Sequence, residues 1–133
     1  MPVLRISEPR APRLHEVPPR IEAFKRPDWE PLPMEGCVNV DGRVIFFDET
    51  LGLALLRFAE DGTIHEHPGP NDTVVSCLEG HGYTSVGDEI SPIESGQIVH
   101  WPAGVPHRLW TESSTMMTLM CERPAEGKTN LGG

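Results

Sequence analysis

Gly96-Gln97-Ile98-Val99-His100-Trp101-Pro102-Ala103-Gly104-Val105-Pro106-His107 reads as a short apolar strand, a Pro-x-Gly turn and a second strand that opens on histidine. Upstream lies Ile64-His65-Glu66-His67-Pro68-Gly69-Pro70-Asn71-Asp72-Thr73. Side chains alternate faces along an extended segment, so His65 and His67 are expected on one side. His107, at the start of a later strand, closes a triangle with them if the two strands are neighbours. Three imidazoles converging in this way are a metal-ligating arrangement.

Outward from these clusters the chain divides into short segments punctuated by glycine and proline. Cys37–Val40 and Arg43–Phe47 flank Asp41-Gly42, which predicts a two-residue hairpin. Leu53–Ala59 predicts a strand ending at a second turn, Asp61-Gly62. Thr63–His67, Thr73–Leu78, Tyr83–Val86 and Ile90–Ile93 follow, with Glu79–Gly82 and Gly87-Asp88 as turns. Pro92 assigns the Ile90–Ile93 strand to an edge, because proline cannot donate to a ladder. Gln97–Trp101, His107–Glu112 and Thr115–Cys121 complete the set. No segment keeps a helical period. Many short strands with Gly/Pro turns predict an all-β, antiparallel sandwich or barrel.

With 133 residues the chain fits a single domain. The division expected is a Pro/Arg-rich arm over 1–20, a barrel over 21–122 and a flexible tail over 123–133. The arm holds five prolines, and residues 1–26 carry a net +3 within a total of −9. The remainder is strongly acidic, which excludes nucleic acid as the partner of the folded part. No apolar run is long enough for a bilayer, and the start lacks a signal peptide's apolar core, so a cytoplasmic protein is expected. Cys37, Cys77 and Cys121 are an odd number at wide spacing and read as free thiols.

The two clusters resemble the paired motifs of the cupin superfamily. Its first motif runs Gly, five residues, His-x-His, three or four residues, Glu, six residues, Gly. Its second runs Gly, five residues, Pro-x-Gly, two residues, His, three residues, Asn. His65, His67 and Gly80 match the first; Gly96, Pro102, Gly104 and His107 match the second in register. Ala59 replaces the opening glycine, and Thr111 stands where asparagine is usual. The family's glutamate is absent. Counted back from Gly80 its position is Thr73, while counted forward from His67 it is Asp72. Strand register favours the backward count, with Thr73 facing the interior and Asp72 at the rim. Asp72 turns inward instead if the strand begins after it.

The resemblance implies a double-sheet jelly roll, a divalent metal on His65, His67 and His107, and a non-haem dioxygenase acting on a small anionic organic substrate. Fe(II) is favoured, with Zn, Ni, Mn and Cu as alternatives, since imidazole suits several of these ions. A neutral ligand set leaves the ion near +2 and suited to an organic anion. Two other functions stay open: a non-catalytic ligand-binding or sensing protein, and a metal-dependent isomerase or lyase. The last needs a base, for which Asp72 is the nearby candidate.

Around the triad, alternation from Thr73 turns Val75 and Cys77 inward. Alternation from His107 turns Leu109 and Thr111 inward, and Thr63 shares the face of His65. Arg57 holds a substrate carboxylate if its face is interior and is a surface cation otherwise. His100 is a candidate hydrogen-bond partner behind the ligands, or packing. A homodimer is expected by analogy with related cupins and because a small sandwich has open edges to cover.

Overall fold

The computed structural model describes residues 17–125. Eight strands follow in order: β1 (Arg26–Pro31), β2 (Val38–Phe47), β3 (Gly52–His67), β4 (Asn71–Val86), β5 (Glu89–Glu94), β6 (Ile98–Trp101), β7 (His107–Trp110) and β8 (Met116–Pro124). Among the described residues there is no helix, and every strand pair is antiparallel.

Two long strands serve both layers of the roll. The first half of β3 pairs with β2 and β8, and the first half of β4 with β8 and β6. Past a corner, the second half of β3 pairs with β7, and that of β4 with β5 and β7. One layer therefore reads β1-β2-β3-β8-β4-β6 and the other β3-β7-β4-β5, the arrangement of a jelly roll. β5, with Pro92, lies at an edge and, among the described residues, pairs only with β4. Between the layers sit Phe58, Val75, Leu109 and Trp101, each 2% exposed or less. Burying an aromatic of this size contributes about 2–3 kcal/mol.

Three expected turns are not turns. Asp41-Gly42 lies inside a continuous β2, with Asp41 opposite Arg57 and Gly42 opposite Leu56. Asp-Gly is a local signal, and pairing along the whole length of β3 overrides it. Asp61-Gly62 bends β3, and Glu79–Gly82 bends β4, without ending either strand. Gly80 sits at the β4 corner with φ 78°, where any side chain would strike the Thr115 carbonyl. The β3 corner is stitched by Thr111: its hydroxyl donates to the Ala59 carbonyl at 2.6 Å and accepts from the Gly62 amide at 2.9 Å. β1, with a proline at its second and last positions, was not anticipated.

Residues 1–16 of the expected arm and 126–133 of the expected tail lie outside the described residues. The described part of the arm, from residue 17, carries no strand, and β8 runs on to Pro124.

Candidate functional site

Two loops cross between the layers at one end of the barrel. Pro68–Pro70 links β3 to β4, and residues 102–106 link β6 to β7. They are tied together where the Gly104 amide donates to the Gly69 carbonyl at 2.7 Å. The Asp72 carboxylate accepts the Ala103 amide at 2.9 Å, so this exposed acid clips the rim of the second loop.

His107 opens β7 on the inner face and is 4% exposed. Its ring stacks on Trp101 at 4.1 Å and 8°. Trp101 is itself held by its indole N–H, which donates to the Thr84 hydroxyl at 3.1 Å. His67 pairs with His107 across β3 and β7, and the ring centroids lie 4.8 Å apart at 67°. A backbone carbonyl can only accept, which fixes both tautomers. Nδ1–H of His67 donates to the His65 carbonyl at 2.7 Å, and Nδ1–H of His107 to the Val105 carbonyl at 3.1 Å. Each Nε2 keeps its lone pair, the form in which imidazole binds a metal or accepts a proton. Burial, reinforced by the neighbouring His67, pushes the His107 pKa down to about 4 against the opposing pull of the Val105 carbonyl.

His65 is not brought to this pair. The β3–β7 register shifts between Ile64 and His67, so Ile64 and His67 share the inner face while His65 and Glu66 are exposed. The even alternation expected along Thr63, His65 and His67 is corrected by that bulge. Thr63 faces outward, where its hydroxyl accepts from Arg108 Nε at 3.2 Å. The His65 side chain lies beneath Gly36, whose φ is 86°; a Cβ there would come within 2.6 Å of the His65 Cβ. Among the described residues, no three His, Cys, Asp or Glu side chains are grouped to hold a metal ion. Two of the three imidazoles therefore lie side by side, and the third is not brought to them.

The remaining candidates divide by face. Thr73, Val75 and Cys77 are buried on the inner face of β4. The Cys77 thiol points at the Glu79 and Gly80 carbonyls, and burial pushes its pKa up, so it packs as a thiol. Thr111 serves the β3 corner. Arg57 is an outer-face cation, bound to Asp41 at 3.0 Å and laid over Trp29 at 4.2 Å. His100 is exposed opposite Val74.

Glu122 was missed. The expected last strand, Thr115–Cys121, stops one residue short of it, yet Met116, Thr118 and Met120 alternate inward, and Glu122 continues that row on the interior face beside Thr73. Its partner is Asn71, whose amide donates at 3.2 Å.

The Cupin domain family model matches residues 54–121, and the chain belongs to that family. No curated protein matches it. A conserved protein of unknown function from Streptococcus pyogenes is 26% identical, with a TM-score of 0.58 over 65% of this chain and 75% of that one. The polyketide cyclase RemF from Streptomyces resistomycificus is 16% identical, with a TM-score of 0.69 over 86% of each chain. A cupin 2 conserved barrel domain protein from Rhodopseudomonas palustris is 19% identical, with a TM-score of 0.64 over 80% and 77%. At such identities the last two likenesses speak for the fold alone.

Proposed function

We propose that this chain is a metal-dependent enzyme of the dioxygenase class that acts on a small organic anion at the His67–His107 end of the barrel. The observation that carries this reading is the pair of adjacent imidazoles, each with Nδ1 tied to a carbonyl and Nε2 left over as an electron-pair donor. A bound divalent ion, Fe(II) in first place, would supply Lewis acidity and a meeting point for dioxygen and the anion. His67 and His107 are the fixed ligands in this reading. His65 joins them only if the bulge between Ile64 and His67 is undone. Trp101, stacked on His107, keeps water from that ring's face and fixes its plane.

The test is oxygen uptake by protein loaded anaerobically with Fe(II), across enolisable acids, diketones and thiols. Uptake with one class, lost in His107→Ala, is expected. No uptake across the panel would overturn the dioxygenase assignment.

A second reading, a non-catalytic ligand-binding cupin, is favoured by the separation of His65 from the pair. Tight binding of an organic anion without turnover would select it. The assembly proposed with either reading is a homodimer through the outer sheet, where Leu78 and Ile98 are 44% and 57% exposed on neighbouring strands. Light scattering that returned the mass of a single chain would overturn the dimer.

A further inference from the structure

The inner face of the barrel mouth carries a carboxylate that neither histidine motif contributes. On β8, Met116 and Thr118 are 3% and 0% exposed, opposite the buried Phe58 and Leu56 of β3. Glu122 continues the same row two steps beyond Met120, between Gly52 on β3 and Thr73 on β4. Asn71, 4% exposed, donates its Nδ2 to Oε2 of Glu122 at 3.2 Å. An ionised carboxylate only accepts, so the amide turns its NH2 toward Glu122. The Asn71 Oδ1 is then buried with no hydrogen-bond partner among the described residues.

Glu122 lines a cavity of about 410 Å³ together with Arg26, Val44, Phe46, Ala54 and Met120. That volume falls within the roughly 300–1,000 Å³ of small-molecule sites. Arg26 pairs with Val44, Val44 with Ala54, and Ala54 with Met120. Three strand spacings of about 4.8 Å therefore separate the row of Arg26 from that of Glu122, or about 14 Å between backbones. Arg26, exposed at the cavity's rim, and Glu122, half-buried at its other end, leave a span that a single substituted ring bridges. The walls between them are apolar; one end offers a guanidinium and the other an acceptor.

We infer that this cavity is a binding subsite for a hydroxylated aromatic, or otherwise apolar, carboxylic acid. The hydroxyl donates to Glu122, the carboxylate lies at Arg26, and the ring packs on Val44, Phe46 and Met120. Asn71 is a positioning residue that holds the Glu122 carboxylate in place. None of the three motif histidines lines the cavity. The subsite therefore stands apart from the metal reading and is tested without metal.

The experiment is isothermal titration of chelator-treated full chain with para-hydroxybenzoate and with benzoate. Wild type should bind the hydroxylated acid roughly tenfold more tightly, the size of a charge-assisted hydrogen bond. Glu122→Gln, which keeps an acceptor oxygen but no charge, should cut that preference to about threefold or less. Gly52→Leu extends into the cavity beside Glu122, where an added Cβ would lie an ordinary 3.8 Å from the Glu122 Cβ. It should weaken both acids at least tenfold with the unfolding midpoint preserved. Equal affinities in wild type, a preference that survives Glu122→Gln undiminished, or no binding of either acid at millimolar concentration would overturn the inference.

Discussion

The segments Ile98–His107 and Ile64–Thr73 each deliver an imidazole to the same end of the barrel, but they do so with unequal security. The second motif is locked: Trp101 and His107 are buried and stacked, and the loop between them is tied to Gly69 and Asp72. The first reaches its place through a bulge that separates its own two histidines, one inside and one pressed under Gly36. A histidine held by an indole and a carbonyl is fixed in plane and tautomer. A histidine on an irregular strand end is placed by whatever covers it.

The largest expected effect breaks the locked half. Trp101→Ala removes a fully buried indole and the stacking face of His107, and should cost about 3–5 kcal/mol in denaturant unfolding. A loss below 1 kcal/mol would mean that the second motif is no firmer than the first.

A smaller effect comes from pH. The His107 pKa lies below its ordinary 6.5, at about 4, so the unfolded chain binds a proton that the folded chain refuses between those values. Stability from this group is complete above pH 6.5 and is lost as pH falls toward 4, by about 3 kcal/mol in metal-free protein. His107→Phe, which keeps an aromatic ring on Trp101, should flatten that slope. An unchanged pH dependence of the unfolding midpoint would show that the ring titrates as it does in solvent.

On the looser side, Gly36→Ala places a methyl where the His65 side chain lies and holds a non-glycine residue at positive φ. A stability loss of about 1–2 kcal/mol is expected, together with a shift of the His65 ring resonances in NMR spectra. Unmoved His65 signals would contradict the contact. Smallest is Asp72→Ala, which frees the exposed Ala103 amide; about 0.5–1 kcal/mol is expected, with metal binding unaltered.

The same contrast governs what the sequence could disclose. The antiparallel all-β class, the edge position of the Pro92 strand and the inward row Thr73-Val75-Cys77 follow from alternation and turn residues, because those segments are regular. Asp41-Gly42 misleads because a dipeptide preference is weaker than a ladder that continues on both sides. Thr63 and His65 misplace their faces because a bulge leaves no mark in period-two counting. Glu122 escaped because a strand end followed by Pro124 and glycines resembles a tail. The pairing that rescues it, with Gly52 and Thr73, is long-range.

The central claim is that His67 and His107, with Nε2 free, are the paired donors on which function is built. Anaerobic equilibrium dialysis against Fe(II), repeated with Zn(II), tests it most directly. Wild type and Asp72→Ala should each bind a single ion per chain, while His67→Ala and His107→Ala bind at least about tenfold more weakly. Wild-type protein that binds neither ion, or histidine variants that bind as wild type does, would contradict it.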